Sequence, residues 1–573
     1  MLAVQRIWCR TPSQYAKSWH SPFRPIAAAW LLALLAGPLI ADPPTLEYLF
    51  PAGGARGSRV TVECKGKFDW PVQADAPGLQ VAVSDQSGQV QISIPSDLAT
   101  DRVWLRLYNA SGASEPAPFL ISGSAEVVES EPNDSPAQAQ SDLNLPVVVN
   151  GVLKGADADT FAIPLHAGQT LIAALDAHSR LGSPIDAVLQ IANSQGIVLA
   201  DNHDWLGLDP QISYQAKSAG FYLVRLFGFL ALPNQSIALQ GGNNCINRLS
   251  MTTGPLITHA IPLAVSEQSN IRVQLVGWNI PEAPQISIQT LGHPVFKNIV
   301  EVEAPSELRT ALDTQQVMVI ADEMVGCARV RHVSMPVSLV IDRPIDAPPV
   351  EVDLPHAITG RLKSPAQVDR YAISLKQGQQ LLATVQSRTL GLLPDPMLRL
   401  FDSAGKQLAE VDDSAGGRDA IMAFTAPADG SYVVAVLDRH QAGGPKAYYL
   451  LTLRPEQEDF ELTFSATSLV VPAGEIGQLP GNVLRRGAAG PITLNLEGLP
   501  EGMTCEPVVS AVDGETSKGV TLKISGNSRS YSGPIRVVGR MEQPRSLLRY
   551  ATTPARLNAA LPYLWLTVIA PTQ

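Results

Sequence analysis

A chain of 573 residues is too long for one hydrophobic core, so we expect about three to five domains. Charged residues make up 17% of the chain, and the 44 glycines and 46 prolines favour short strands joined by turns over helical bundles. The formal net charge of −11 makes nucleic acid and anionic membrane surfaces poor partners.

The first 41 residues predict a secretory signal peptide. They contain no acid, an apolar run spans 26–35, and cleavage is expected near Ala41. The alternative is an uncleaved N-terminal anchor, because the bulky Leu39 would stand three residues before the cut. Cleavage would take the formal charge from −11 to −15 by removing four basic residues: Arg6, Arg10, Lys17 and Arg24.

No other apolar run approaches the roughly 20 residues that a spanning helix needs. We therefore expect no membrane span after signal cleavage. The mature chain is predicted to be secreted, periplasmic or at the cell surface.

Residues 43–125 show the pattern of an immunoglobulin-like sandwich. Asp85-Gln86-Ser87-Gly88 separates two β-rich runs as a hairpin turn. Strands at this spacing are typical of that fold. The runs fall at 60–63, 79–83, 90–94 and 103–107.

An acidic segment follows at residues 129–134, with the sequence Glu-Ser-Glu-Pro-Asn-Asp. Pro132 pushes the preceding residue towards extended geometry. Alternate side chains of an extended segment share a face. Glu129, Glu131 and Asn133 would therefore point the same way, with Asp134 beside them at a turn.

A second acidic turn leads into a β-rich run and contains Asp157 and Asp159. Calcium takes about 6–8 oxygen ligands, more than either turn supplies alone. A β-sandwich that brought the two turns together could supply them. The sequence therefore predicts a Ca²⁺ site, and the alternative for the acidic segment is a solvated linker between domains.

These two turns are part of a longer pattern that resembles the bacterial pre-peptidase C-terminal domain. Ala167-Gly168-Gln169 and Gly220-Phe221-Tyr222-Leu223-Val224 complete the pattern. The resemblance covers roughly 126–240 and again roughly 346–456. It implies small β-sandwiches related to the collagen-binding domains of bacterial collagenases.

The predicted metal ligands of the first module lie on both acidic turns. Ala156 stands where the collagenase relatives carry another acid, which makes Asp159 a firmer ligand than Asp157. The full set is Glu129, Glu131, Asn133, Asp134, Asp157 and Asp159.

The sequence also indicates an internal duplication. Gly360-Arg361-Leu362-Lys363 echoes Gly151-Val152-Leu153-Lys154. We therefore expect a second immunoglobulin-like domain at 241–345 and a second pre-peptidase-like sandwich at 346–456.

The second copy differs from the first at the acidic turns. It has no E-x-E-P-N-D segment, keeps Asp369 and adds Arg370 beside it. Too few oxygens remain for a cation, so this module is expected to be a scaffold without metal.

The last domain, 457–573, is also predicted to be immunoglobulin-like. The expected fold class is therefore all-β, with tandem immunoglobulin-like and jelly-roll-like sandwiches. The sequence contains no CxxC pair, so a zinc site is not expected. Isolated thiols are expected, although Cys245 and Cys327 could pair within one domain. Four cysteines follow the leader: Cys64, Cys245, Cys327 and Cys505.

No catalytic motif stands out. The sequence has no G-x-S-x-G elbow, H-E-x-x-H, Walker loop or G-x-G-x-x-G. His203 sits among polar residues, where a solvated turn competes with a catalytic role, and Asp201, Asp204 and Asp209 could form a minor cation site.

The functional expectation is a secreted, non-catalytic protein. It would bind an extracellular polypeptide or glycan at the cell surface or in the matrix. The alternative is a secreted peptidase or hydrolase, or an accessory subunit of one.

Overall fold

The structure is a computed structural model. It describes residues 42–98, 100–231, 239–266, 271–280, 287–290, 293–296, 299–302, 314–321, 325–413, 419–444, 446–456, 458–472, 474–526, 530–544 and 546–569. The predicted signal peptide at 1–41 lies outside these residues. Within them, no helix has the length and hydropathy to cross a membrane.

The first two sheets enclose one hydrophobic core. Their orders are β1-β3-β6-β5 and β2-β9-β7-β4, with β8 paired to β7. Val90 and Ile92 are buried while Gln91 between them is exposed, as the alternating pattern predicts. The strands are β1 (Thr45–Phe50), β2 (Gly53–Ala55), β3 (Arg59–Lys67), β4 (Gln73–Asp75), β5 (Gln80–Val83), β6 (Gln89–Ser93), β7 (Arg102–Asn109), β8 (Gly112–Ala113) and β9 (Ala117–Ser122).

The next sandwich carries the acidic turns. Its sheets have the orders β10-β11-β18-β13-β16 and β12-β17-β14-β15, and apolar side chains of both pack into one core. Its elements are β10 (Ala125–Val128), β11 (Val147–Val152), β12 (Ala158–Leu165), β13 (Thr170–Asp176), α1 (His178–Leu181), β14 (Ile185–Asn193), β15 (Val198–Asn202), β16 (Gln211–Gln215), β17 (Gly220–Leu230) and β18 (Ile246–Thr252).

This sandwich extends beyond the predicted limit at residue 240. Strand β18 lies between β11 and β13, so it is central to its sheet. The polar run 241–244 suggests a break between domains, but it forms a turn within the sandwich. There, the N–H of Gly242 donates to the carbonyl of Leu153 (3.0 Å).

The third pair of sheets repeats the connections of the first pair. The orders are β24-β21-β19-β26 and β20-β27-β25-β22-β23. In both pairs a short strand runs parallel to a later one, β2 with β9 and β20 with β27. The strands are β19 (Leu256–Ile261), β20 (Ala264–Ser266), β21 (Ile271–Trp278), β22 (Ser287–Thr290), β23 (His293–Phe296), β24 (Ile299–Val302), β25 (Thr314–Ala321), β26 (Val325–Gly326) and β27 (Ala328–Val333).

The fourth pair has the strand order of the second pair. Its sheets are β28-β30-β37-β32-β35 and β29-β31-β36-β33-β34, and β28 lies before the predicted start at 346. The two pairs share this order except for β29, which adds a strand beside β31, and in the third pair β26 lies beside β19 where the first pair has no strand. The duplication of a two-domain unit remains a prediction. The strands of the fourth pair are β28 (Val337–Val340), β29 (Val350–Glu351), β30 (His356–Arg361), β31 (Val368–Leu375), β32 (Gln380–Gln386), β33 (Pro396–Phe401), β34 (Gln407–Val411), β35 (Ala420–Thr425), β36 (Gly430–Asp438) and β37 (Tyr448–Pro455), with a 3-10 turn at Arg388–Leu390.

The last sandwich has the sheet orders β38-β40-β44-β42 and β39-β49-β45-β41-β43, with β46 on β45 and a separate β47-β48 ribbon. It has its own apolar core. The strands are β38 (Asp459–Phe464), β39 (Ser468–Pro472), β40 (Gly477–Arg486), β41 (Ile492–Glu497), β42 (Met503–Cys505), β43 (Val508–Ser510), β44 (Gly519–Gly526), β45 (Tyr531–Met541), β46 (Leu547–Tyr550), β47 (Thr553–Pro554), β48 (Ala560–Leu561) and β49 (Leu564–Ile569), with 3-10 turns at Glu515–Ser517 and Arg556–Asn558.

The predicted fold class is confirmed. The described part of the chain is built of β-sheets, and its α-helix spans only His178–Leu181. Apart from the differences at 240 and 346, the predicted domain limits remain predictions. All four described cysteines are free thiols, so Cys245 and Cys327 do not pair; Cys64 and Cys245 are buried, whereas Cys327 and Cys505 are half-buried.

One buried aspartate joins three of these sandwiches. Asp101, just before β7, contacts Arg180 of α1 (2.7 Å) and Arg329 of β27 (2.5 Å). Burial opposes ionisation of Asp101, but the two guanidinium groups outweigh it and lower its pKa to about 2. The ion pairs therefore stabilise the contact between domains only while Asp101 is charged.

We predict that Asp101→Asn lowers the melting temperature at neutral pH. The substitution leaves Arg329 without this carboxylate and Arg180 with Asp176 alone, which should cost about 2 kcal/mol. Because the folded pKa lies below the unfolded one, this stabilisation is present above about pH 4 and is lost as the pH falls towards 2.

The difference in melting temperature between wild type and variant should therefore shrink in acid. Thermal unfolding of both proteins between pH 7 and pH 2 measures this difference. Asp429→Asn, at an exposed pair with Lys376, is the control and should change little. Identical melting of wild type and Asp101→Asn at pH 7 would refute a stabilising role for this contact.

Candidate metal centre

The acidic segment is anchored to the second sandwich through Glu129. Strand β10 runs parallel to β11, and the N–H of Glu129 continues this pairing by donating to the carbonyl of Asn150 (3.0 Å). One carboxylate oxygen of Glu129, Oε1, accepts the N–H of Val152 (2.7 Å). The other oxygen, Oε2, is buried and has no hydrogen-bond partner among the described residues.

The rest of the segment crosses towards β12. Glu131 accepts the N–H of Asn133 (3.1 Å), and the carbonyl of Asn133 accepts the N–H of Thr160 (3.0 Å). The Asn133 side chain is fully buried, and neither its oxygen nor its nitrogen has a partner among the described residues. The segment is therefore packed against the sandwich, which argues against a solvated linker.

The second acidic turn reaches the same place from the other sheet. Asp157 accepts the N–H groups of Lys154 (3.1 Å) and Ala158 (2.9 Å), which fix its carboxylate at the start of β12. Asp159 lies in β12 opposite Leu226 and is fully buried. Neither of its carboxylate oxygens has a hydrogen-bond donor within the described part of the chain.

The two turns form two overlapping groups of carboxylates. Glu129, Glu131 and Asp159 make one group, and Glu131, Asp134 and Asp157 make the other. Within each group, one ligand oxygen per residue lies within 4.8 Å of the others. The structure thus brings together the five predicted carboxylates, with Glu131 common to both groups.

The electrostatics of the site are unfavourable without a cation. Burial and the neighbouring carboxylates raise the pKa of Asp159 strongly, and burial raises the pKa of Glu129. Burial also raises the pKa of Asp157. These shifts describe the protein without a metal, in which Glu129 and Asp159 face each other with no positive side chain between them.

The donor set fits calcium. The groups at this site are carboxylates and one amide oxygen, the hard ligands that calcium prefers. The unpartnered buried oxygens of Asp159, Glu129 and Asn133 are the atoms that a cation would satisfy. Glu131, Asp134 and Asp157, which are more exposed, could complete the shell.

Gly151 is a part of this site that sequence reasoning missed. A Cβ on Gly151 would lie 2.3 Å from Oε2 of Glu129 and 3.1 Å from Nδ2 of Asn247, so only glycine leaves room for the carboxylate. The repeated Gly-x-Leu-Lys motif contained this signal. Asn247 faces Gly151 across the sheet, and its Nδ2 is also buried and unpartnered.

The second copy satisfies its buried aspartate with hydroxyl and amide donors. Asp369, which matches Asp159, accepts hydrogen bonds from Tyr449 (2.6 Å) and Gln367 (2.8 Å). Tyr449 lies opposite Gly360, as Asn247 lies opposite Gly151. The Tyr371 hydroxyl, where the first copy has Phe161, adds a further hydrogen bond to Tyr449 (2.7 Å).

The other cation candidate of the sequence is not assembled. The carboxylate of Asp209 accepts the N–H groups of His178 (2.7 Å) and Ser179 (2.9 Å), so it caps the turn at α1. Asp419 does the same in the second copy, to Ser387 and Arg388. Among the described residues, three or more potential ligand side chains with ligand atoms within 4.8 Å of one another occur only at the two acidic turns.

Comparison with known proteins gives limited likenesses. No family model matches the chain. A probable subtilase-type serine protease of Deinococcus radiodurans is 41% identical over 73 residues, which are 13% of this chain and 10% of that protein. The chain therefore aligns with about a tenth of the length of that relative.

Three solved structures illustrate the structural likenesses. The pre-peptidase C-terminal domain of a Bacillus anthracis collagenase is 19% identical, with 20% of this chain and 99% of that one covered and a TM-score of 0.16. Elastase-activated Escherichia coli alpha-2-macroglobulin is 10% identical over 92% of this chain and 53% of that one, with a TM-score of 0.13.

The four N-terminal immunoglobulin domains of Dscam1 are also similar. They are 10% identical over 90% of this chain and 98% of that one, with a TM-score of 0.17. TM-scores this low carry no argument about function.

We predict opposite effects of one substitution in the two copies. In chelator at pH 8, Asp159→Asn should raise the melting temperature, because it removes the cost of either protonating this buried carboxyl or burying it charged without a partner. Asp369→Asn should lower it because an amide nitrogen would face a hydrogen-bond donor.

The sign of the pH dependence follows from the raised pKa of Asp159. Since the folded chain holds the proton more tightly than the unfolded chain, stability in chelator should fall as the pH rises above about 4. Asp159→Asn should flatten this decline. Destabilisation by Asp159→Asn in chelator at pH 8 would show that the carboxylate is compensated without metal.

Proposed function

We propose that this chain is a secreted, non-catalytic, multidomain protein that binds polypeptide or glycan outside the inner membrane, and that Ca²⁺ stabilises its first pre-peptidase-like sandwich. The observation that carries the calcium proposal is Asp159, fully buried with two oxygens and no donor. Burying an ionised carboxylate without a partner is strongly unfavourable. A divalent cation removes that penalty.

Each residue has a role in this proposal. Asp159 and Glu129 supply the buried oxygens, one from β12 and the other from the acidic segment. Glu131 is common to both carboxylate groups, and Asp134 and Asp157 supply oxygens at the exposed side. The cation would therefore cross-link the segment that leads from the first sandwich to a strand of the second, and fix the chain between these domains.

The tandem sandwiches favour a binding role. They offer broad sheet faces for a ligand. Two hydroxyls lie beside a histidine ring nitrogen, Ser338 beside Nε2 of His356 (2.7 Å) and Thr258 beside Nδ1 of His259 (3.1 Å). A hydrolase triad also needs an acid that orients the histidine, and among the described residues no carboxylate is hydrogen-bonded to either ring. The second candidate function is an accessory role to a secreted peptidase. The observation that favours the accessory role is the similarity of 73 residues of this chain to part of a probable subtilase-type serine protease.

Calcium should raise the melting temperature of a fragment spanning 124–254, which contains all strands of the sandwich including β18. Extracellular calcium modules have dissociation constants on the order of 10⁻⁴–10⁻³ M, so millimolar calcium is the useful range. Binding to the folded state alone adds about 2.7 kcal/mol at a hundredfold excess over Kd. Several degrees should separate calcium from chelator.

Three controls define this experiment. Glu131→Ala and Asp159→Ala should each remove most of the calcium response. A fragment spanning 336–456 should show no response, because Tyr449 and Gln367 already satisfy Asp369. Identical melting of the 124–254 fragment in calcium and chelator would overturn the calcium proposal, provided that circular dichroism shows the fragment is folded.

The binding role is tested separately on the full mature chain. We expect retention on immobilised gelatin, collagen or polysaccharide and no turnover of casein, gelatin or ester substrates. Asp159→Ala should weaken retention through loss of order between the first two sandwiches. Turnover that survives purification and is abolished by one point substitution would replace the binding role with the enzymatic alternative.

A further inference from the structure

A lysine lies between two indole rings where three sandwiches meet. The ammonium of Lys446 is 3.2 Å from the ring centroid of Trp278 and 4.9 Å from that of Trp205. The two rings are 5.8 Å apart. Trp205 precedes β16, Trp278 ends β21, and Lys446 precedes β37, so each of three domains contributes one side chain.

The charge of Lys446 has no carboxylate partner within ion-pair distance among the described residues. Its side chain is half-buried, and burial lowers its pKa to about 8. Asp438 lines the same cavity but makes no ion pair with Lys446. Its carboxylate is instead directed at the N–H groups of Asp395 (2.7 Å), His440 (3.0 Å) and Ala442 (2.8 Å). The indole faces provide the attraction that holds this cation.

A cavity of about 320 Å³ adjoins this group. Trp205, Lys446 and Asp438 line it together with the apolar Leu393, Pro394 and Ala442. Ligand cavities begin at about 300 Å³ and combine mainly apolar walls with a few polar groups that fix the ligand. This cavity has that composition and the volume for one ring-sized apolar group.

The fold does not require a lysine here. In the second copy of the pre-peptidase-like sandwich, the N–H of Gly444 donates to the carbonyl of Leu362 (2.8 Å). In the first copy, the N–H of Gly242 donates to the carbonyl of Leu153 in the same way. By this match, Asn244 occupies the position of Lys446. The same turn therefore forms without a cation in the first copy. The backbone does not require the ammonium of Lys446, so we look for its role in the cavity that it lines.

We propose that this cavity binds an apolar carboxylate, whose ring or aliphatic group fills the apolar walls and whose single negative charge pairs with Lys446. One ammonium matches one carboxylate, whereas a phosphate group would need several donors. A neutral ligand would leave the ammonium uncompensated. The carboxylate could belong to a free organic acid or to the C-terminal residue of a polypeptide, and this site is independent of the calcium site.

The test uses the full mature chain and isothermal titration with 3-phenylpropionate and its neutral amide. To separate the two sources, N-acetyl-glycyl-phenylalanine is compared with its C-terminal amide. We expect each acid to bind at least about tenfold more tightly than its amide, which corresponds to about 1.4 kcal/mol. Tighter binding of 3-phenylpropionate would indicate a free organic acid, and tighter binding of the peptide would indicate a polypeptide C-terminus. Chelator should change neither affinity.

Matched variants assign the binding to this cavity. Lys446→Gln should weaken the acids about tenfold and leave the amides unchanged, while Lys446→Arg keeps the charge and should retain the preference. Ala442→Phe should block both kinds of ligand, since Ala442 is exposed and its backbone bond to Asp438 remains. The proposal is overturned if the wild type binds no acid, if acid and amide bind equally, or if Ala442→Phe leaves acid binding intact.

Discussion

The repulsion between buried carboxylates governs the second sandwich of this protein. Asp159 has no exposed surface and no hydrogen-bond donor among the described residues, and the side chains grouped with it, Glu129 and Glu131, are also acids. A sandwich assembled around this group must protonate it or bind a cation. Glu129 directly follows β10, the strand through which the chain enters the second sandwich. We therefore expect protonation or cation binding at this site to affect how firmly the first two domains are joined.

The duplicated plan provides an internal comparison. Both copies place an aspartate at the same position of the same strand, and both have a glycine in the other sheet that leaves room for a polar side chain, Glu129 beside Gly151 and Tyr449 beside Gly360. In one copy Tyr449 occupies the space beside the glycine and donates to Asp369. In the other copy Glu129 occupies that space, and the aspartate gains another acid instead of a donor. The same architecture thus holds a closed hydrogen-bond network around Asp369 and a group of carboxylates, the proposed cation site, around Asp159.

Much of this was predictable from local sequence, and the rest was not. The strand runs and the meeting of the two acidic turns follow from alternation, proline geometry and acid spacing, whereas the six oxygen ligands remain a prediction. The role of Gly151, the position of β18 beyond residue 240 and the Tyr449–Asp369 bond depend on which strands become neighbours, which no local pattern specifies. Lys446 between Trp205 and Trp278 is the extreme case, since each residue comes from a different domain.

The most direct test of this account is a crystal structure of the mature chain grown at pH 7.5 with millimolar calcium. The account predicts an ion between the two acidic turns, about 2.3–2.6 Å from oxygens of Asp159, Glu129 and Glu131, the distances that calcium adopts. The matching position in the second copy, Asp369, should hold no ion. A site without an ion, in which Asp159 and Glu129 share a proton through a short hydrogen bond, would contradict the account.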